Sequence, residues 1–272
     1  MYLLEARGLS VGVMESPGVM PRPVVRGVFL TLERGRCVGI AGESGAGKTT
    51  LALSLLGLLP GNMTMIDGRV LYDGRDVTTR GTDKGRARSA FLARQTGFIF
   101  QDPQTALNPL MSVGSQVEER LALCGMKSRK ERREHTRAIF REVGLPDTDG
   151  FLKRYPHELS GGMQQRVVIA QAVVHRPPLV IADEPTASLD PGIRDDIAVL
   201  LETLTRERGS ALLLISHDWT LLKRMCGDMH MMYNGEFVEH GPPEEILNHP
   251  RHPYTKALLA AMPSFEKRGQ VL

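Results

Sequence analysis

An α/β fold built around a parallel sheet is predicted by three observations. Residues 37–41 (CVGIA) read as a buried strand, which runs straight into the glycine-rich turn GESGAGKTT at 42–50 and then into a helical stretch over 50–59. Residues 179–182 (LVIA) and 211–215 (ALLLI) are continuous apolar runs, as expected of strands buried on both faces of a parallel sheet. An amphipathic helix over 195–206 lies between them, and strands alternating with helices imply crossover connections. A ligand then belongs at the carboxyl ends of those strands.

The turn consists of Gly42, Glu43, Ser44, Gly45, Ala46, Gly47, Lys48, Thr49 and Thr50. Its spacing, a glycine, four residues, then Gly-Lys-Thr, is that of a phosphate-binding loop. Glycines let backbone N–H groups close on phosphate oxygens, and the helix N-terminus adds partial positive charge. Lys48 is placed to reach the β- and γ-phosphates, and the Thr49 hydroxyl to hold Mg²⁺. A turn that only capped a helix would need neither residue at these positions.

Size and composition bound the reading. A chain of 272 residues, 42% hydrophobic and 24% charged, can fill a large core and suits one large domain or one domain with a subdomain. A net charge of +3 is too small to argue for nucleic acid by itself. No apolar run approaches the roughly 18 residues of a membrane span. The N-terminal MYLLEARGLS carries no signal-peptide apolar region, so export is not expected. Cys37, Cys124 and Cys226 are far apart in sequence, form no metal-like cluster, and read as reduced thiols of a cytosolic protein.

Around the core, residues 3–13 and 28–32 suggest strands of a lateral sheet, with a loop at 16–23. Residues 69–71 precede the Asp73-Gly74 turn, a hairpin signal. Residues 78–90 are polar and read as a loop leading into a helix, and 97–100 (GFIF) as a short strand that ends at Gln101-Asp102-Pro103. From there to about residue 155 the chain looks helical. Ser128 and Glu131 form a capping-box pair ahead of a highly charged helix over 130–143, whose mixed signs suit a solvated face better than a nucleic-acid face.

Three further elements can serve the phosphate loop. Asp183 and Glu184 follow the 179–182 strand, where one carboxylate could support Mg²⁺ and the other accept a proton from an attacking water. Ser160-Gly161-Gly162 stands at a helix start, Ser160 as N-cap, with Val167, Ile169, Ala170 and Val173 continuing the helix's apolar face. Taken alone it reads as an ordinary cap. His217 follows the 211–215 strand and could touch a phosphate; taken alone it reads as structural.

Together, GESGAGKTT, Gln101, LSGGMQQR (159–166), LVIADEP (179–185), Ser188-Leu189-Asp190 and His217 resemble the ATP-binding cassette (ABC) family across nearly the whole chain. The resemblance implies a P-loop NTPase (RecA-like) α/β core with a lateral antiparallel β-subdomain and an inserted α-helical subdomain. The expected division of this single 1–272 domain is core and β-subdomain at 1–101 and 166–225, helical signature subdomain at 102–165, and a C-terminal segment at 226–272. It implies ATP and Mg²⁺ as ligands. Residues 42–50 would bind nucleotide. Gln101 would sense Mg²⁺ and γ-phosphate, and Ser160, Gly161, Gly162 and Gln164 would be the signature. Asp183 would support Mg²⁺ and Glu184 would be the general base. Asp190 would speak across a dimer, and His217 would act as the γ-phosphate switch. The interval between Lys48 and Ser160 suits a transporter-type helical insertion and leaves no room for a long coiled coil.

The family also implies partners: a second ATPase subunit, identical or homologous, arranged head to tail so that each ATP lies between one copy's phosphate loop and the other's signature. A narrower likeness is carried by QDPQTALNP (101–109), YPHELSGG (155–162) and the tail HPRHPYTKALLAAMP (249–263), which resemble ATPase subunits of peptide/nickel importers. That implies two transmembrane permease subunits, an extracytoplasmic binding protein, a peripheral place on the cytoplasmic face of the inner membrane, and no nucleic-acid partner. The alternative is a soluble ATPase of the same superfamily acting on nucleic acid or ribosomes. His249 and His252 read as loop residues of the tail. Two departures stand out. The place near Val13, where relatives put an adenine-stacking aromatic, has none, and Tyr2 lies too early to serve. The cysteine-rich extension of many peptide importers is missing after the tail, which tilts the expected cargo towards nickel or a metal chelate.

Overall fold

The computed structural model describes residues 1–16, 19–78 and 86–261. The chain opens with β1 (Tyr2–Val13), β2 (Arg22–Glu33) and β3 (Cys37–Ala41), followed by α1 (Lys48–Leu55), β4 (Met63–Tyr72), β5 (Arg75–Asp76), α2 (Arg86–Gln95) and β6 (Thr96–Ile99). A helical insertion follows: α3 (Pro103–Ala106), α4 (Val113–Leu123), α5 (Arg129–Glu142), α6 (Asp149–Leu152), a 3₁₀ turn (Pro156–Glu158) and α7 (Gly161–Val173). The rest is β7 (Leu179–Asp183), α8 (Pro191–Arg208), β8 (Ala211–Ile215), α9 (Trp219–Met225), β9 (Asp228–Tyr233), β10 (Glu236–Gly241), α10 (Pro243–Asn248) and α11 (Pro253–Ala261).

Two sheets result, ordered β10-β9-β3-β8-β7-β6 and β2-β1-β4-β5. In the first, β9, β3, β8, β7 and β6 run parallel, and β10 turns back on β9. The second is antiparallel, as the lateral sheet was expected to be. The apolar runs of the central strands split by parity. Leu179, Ile181, Ala211, Leu213 and Ile215 join the core shared with the antiparallel sheet, while Val180, Ala182, Leu212 and Leu214 face the core shared with the insertion. A strand buried on both faces cannot alternate apolar with polar, which is why these runs read as continuous.

Each helix of the insertion begins where a short polar side chain takes up a free backbone amide. Asp102 accepts from Gln104 at 2.9 Å, Ser112 from Ser115 at 3.4 Å, Ser128 from Glu131 at 3.3 Å and Thr148 from Phe151 at 3.3 Å. The expected capping box thus forms its Ser128 half. The charged face of α5 is tied to acidic neighbours, Arg133 to Asp149 at 2.5 Å, Arg141 to Asp147 at 2.5 Å, and Arg137 to Asp149.

Several boundaries differ from expectation. α1 starts at Lys48 and ends at Leu55, because Lys48 and Thr49 join its first turn and Gly57 takes a left-handed φ of 66°. β2 begins at Arg22 inside the expected 16–23 loop, because β1 holds it by pairing as far as Val13–Arg22. Of the expected 78–90 loop, 79–85 lie outside the described residues and α2 already starts at Arg86. The core does not stop at 225: β9 and β10 belong to the six-stranded sheet, since β9 pairs with β3 from Val38–Asp228 to Ala41–Met231. The same pairing brings together two cysteines 189 positions apart, Cys37 and Cys226, with their Sγ atoms 3.2 Å from each other.

Candidate functional site

The register of the parallel sheet puts the site together. Ile40 lies opposite Ile215, Ile215 opposite Asp183, and Ala182 opposite Ile99. The residues that leave these strands therefore emerge side by side: Gly42 after β3, His217 after β8, Glu184 after β7 and Gln101 after β6. They border one cleft of about 520 Å³. Of the residues expected to hold nucleotide or metal, Gly42, Glu43, Ser44, Gly45, Gly47, Lys48, Thr49, Thr50, Gln101, Asp183, Glu184 and His217 line it.

The loop's shape depends on glycine at two places. A Cβ on Gly42 would sit 2.2 Å from the Met232 carbonyl oxygen, and Gly47, the N-cap of α1, has φ 103° and a Cβ position 3.0 Å from the Val24 carbonyl. Among the described residues no side chain caps α1, which leaves its first-turn amides available to an anion. The Lys48 ammonium, buried at 9% exposure, donates to the carbonyls of Gly42 at 2.7 Å and Glu43 at 2.8 Å. Burial lowers its pKa, while the carboxylates of Glu184, Asp183 and Glu43 work the other way.

The Thr49 hydroxyl donates to Asp183 Oδ2 at 2.6 Å, which puts a hydroxyl and a carboxylate on one point of the cleft. Burial raises the Asp183 pKa against the opposing pull of Thr49 and Lys48. Glu184 has φ 48°, a left-handed conformation that costs a non-glycine residue roughly 1–2 kcal/mol. Hydrogen bonds hold it there: its amide donates to the Ile215 carbonyl at 2.9 Å. Its Oε2 lies 2.7 Å from His217 Nδ1 and accepts the His217 amide at 3.3 Å. Gln101 meets Ser188 through its backbone, the Ser188 hydroxyl lying 3.5 Å from the Gln101 carbonyl.

The signature residues stand outside this cleft. Ser160 accepts the Met163 amide at 3.4 Å as N-cap of α7, and among the described residues nothing lies within 4 Å of a Cβ built on Gly161. Gly162 packs against α8, its Cβ position 3.0 Å from Ile193 Cγ2. Asp190, exposed at the start of the same helix, makes no cap bond. Gln164 turns inward: its amide donates to the carbonyls of Pro156 at 2.8 Å and Leu159 at 3.3 Å, holding the approach to Ser160. The signature residues are therefore not among those that line the strand-end cleft.

Sequence reasoning missed three wall residues. Val24, Trp219 and Leu258 supply apolar surface to the cleft, and Val13 and Tyr2 do not line it. Val24 and Trp219 sit beside recognised segments, but Leu258 comes from α11, more than 200 positions from the phosphate loop, a distance no spacing pattern spans.

Residues 25–187 match the family described as ABC transporter, and residues 238–271 match the oligopeptide/dipeptide transporter C-terminal region. The chain is 37% identical over 97% of its length, and 77% of the relative's, to the oligopeptide transport ATP-binding protein OppD of Lactococcus lactis subsp. cremoris. It is 39% identical over 91% of its length, and 73% of the relative's, to the dipeptide transport ATP-binding protein DppD of Bacillus subtilis. Among solved structures, the ATP-binding cassette MJ0796, as a dimer in a post-hydrolysis state bound to ADP and Pi, is similar at TM-score 0.75 and 26% identity, covering 88% of this chain and 98% of that one. The alternative of a nucleic-acid or ribosome ATPase is not favoured by these likenesses. The chain belongs to the ABC transporter family of ATPases.

Proposed function

We propose that this chain is the ATP-hydrolysing subunit of an importer of di- or oligopeptides. The observation that carries the cargo class is the match of residues 238–271 to the peptide-transporter C-terminal region, supported by relatives named for oligopeptide and dipeptide transport. The expected lean towards nickel or a metal chelate finds no support in these matches, and nothing about cargo follows from where the chain ends. Among the described residues no helix is long and apolar enough to cross a membrane. The partners in this reading are two permease subunits, fed by an extracytoplasmic binding protein. The chain would sit peripherally on the cytoplasmic face of the inner membrane.

The cleft residues divide the work. Amides of the 42–50 loop and of the first turn of α1, with Lys48, bind the β- and γ-phosphates. Glu184, held by His217, takes the proton of the attacking water. A Mg²⁺ ion fits the donor set: Mg²⁺ favours oxygen, keeps most of its waters and needs few protein ligands, and here a hydroxyl and a carboxylate already meet. Thr49 and Asp183 would hold it, with Gln101 beside them, and it would neutralise charge on the phosphates.

Ser160, Gly161 and Gly162 are not among the residues lining their own cleft and would complete the nucleotide site of a second cassette. Gly162 against Ile193 ties the signature to Asp190, which would meet the same partner. The 102–165 insertion serves as the subdomain that carries the signature. The test is reconstitution with candidate permeases and binding protein in vesicles loaded with Mg-ATP. Uptake of labelled di- or oligopeptide, abolished by Lys48→Ala, is expected; uptake of Ni²⁺ without peptide would overturn the cargo assignment.

A further inference from the structure

The C-terminal helix reaches back to the phosphate loop. The Glu43 amide donates to the Tyr254 hydroxyl of α11 at 2.9 Å, a contact across 211 positions of sequence. That amide belongs to the peptide unit joining Gly42 to Glu43. The carbonyl of the same unit, on Gly42, accepts the Lys48 ammonium at 2.7 Å. Tyr254 and Lys48 thus grip opposite ends of one rigid plane, because a peptide unit rotates as a whole. A turn of this plane about its flanking bonds would break both contacts and move the seat of the lysine.

The tyrosine is itself fixed. Its ring stacks on Tyr233, the last residue of β9, with centroids 4.2 Å apart and planes 27° apart. The link into α11 is pinned to β10 by Glu239, which accepts the Arg251 amide at 2.7 Å and the His252 amide at 3.1 Å. His252 Nδ1 in turn accepts the Tyr254 amide at 3.2 Å. One turn beyond Tyr254, Leu258 borders the cleft. An anchored helix that both walls the cleft and bonds its loop does more than close the sheet.

We infer that Tyr254 is a positioning residue for ATP binding: its hydroxyl sets the Gly42–Glu43 peptide so that Lys48 is presented to the phosphates. This rests on residues 42–50 being the nucleotide loop. Tyr254→Phe tests it, because the ring and its stack on Tyr233 stay while the oxygen goes. One neutral hydrogen bond is at stake, so the expected rise in KM for ATP is about 3- to 10-fold with kcat within about twofold. Deuterium exchange at the Glu43 amide should quicken by a similar factor while α11 amides and Tm keep wild-type values. An unchanged KM overturns the inference whatever the amide does. So does a fall in Tm with faster exchange throughout α11, which would mark a merely structural tyrosine. Lys48→Ala is measured alongside: if it leaves ATP affinity intact, the nucleotide site itself is misplaced, whereas a binding-dead Lys48→Ala with a wild-type Tyr254→Phe sinks only the role of the tyrosine.

Discussion

Replacing Glu184 with glutamine separates shape from chemistry at the strand end. In the native chain Oε2 meets His217 Nδ1 at 2.7 Å and accepts the His217 amide at 3.3 Å. Glutamine has the same length and an amide oxygen that can accept from the same groups, so the strained φ of 48° and the position of His217 should survive. What disappears is the carboxylate proposed to take the proton of the attacking water. Loss of a general base costs about 10²- to 10⁴-fold, equivalent to roughly 3–5 kcal/mol at 1.36 kcal/mol per decade. Single-turnover release of phosphate, with chain in excess over radiolabelled ATP, reads this step without product-release effects. Glu184→Gln should bind ATP as the native chain does and accumulate as an ATP-bound dimer by size-exclusion chromatography. Phosphate release within about threefold of the native rate, at full nucleotide occupancy, would remove Glu184 from the chemistry. Glu184→Ala is the contrast: it also deletes the anchor of His217, so loss confined to this variant would make Glu184 a scaffold for the histidine.

Three further outcomes follow from the same geometry. Thr49→Val breaks the 2.6 Å bond to Asp183 and removes one oxygen from the expected cation site, so half-maximal ATPase activity should need several-fold more Mg²⁺; an unshifted Mg²⁺ titration refutes that assignment. Gly97→Ala puts a Cβ 2.1 Å from the Ala172 carbonyl, where β6 crosses α7, and both backbones are packed, so a loss of about 1–3 kcal/mol or more is expected in urea unfolding; native stability would mean the strand shifts freely. His230 stacks with Phe237 and with His240, and its pKa is lowered to about 4, by burial first and by His240 second. A folded pKa below the unfolded value of about 6.5 means stability is whole above pH 6.5 and is lost as pH falls towards 4, by about 2 kcal/mol at pH 5. His230→Phe should therefore lose less stability than the native chain between pH 7.5 and 5; equal losses would show that His230 takes up no extra proton on unfolding.

What the sequence disclosed and what it withheld divide along one physical line. Chemistry concentrated in contiguous residues was legible: a loop that needs glycine at Gly42 and Gly47 and an amine at Lys48 must spell this out in nine positions, and a strand buried on both faces must be apolar throughout. Even the convergence of Asp183, Glu184 and His217 could be anticipated, because parallel strands end on one edge. Contacts whose partners are set by tertiary register left no local trace. Cys37 meets Cys226 only because β9 lies beside β3, and Tyr254 meets Glu43 only because Glu239 pins α11 to β10. The tail that carries Tyr254 could be matched to a type of transporter from its residues, yet its likeness gave no hint that it builds a wall of the cleft. The consequence concerns how the site would respond to its surroundings. The loop meets the core sheet through Gly42 against the Met232 carbonyl and meets α11 through the Tyr254 hydroxyl, so a displacement of α11 would also act on the peptide whose carbonyl accepts from Lys48.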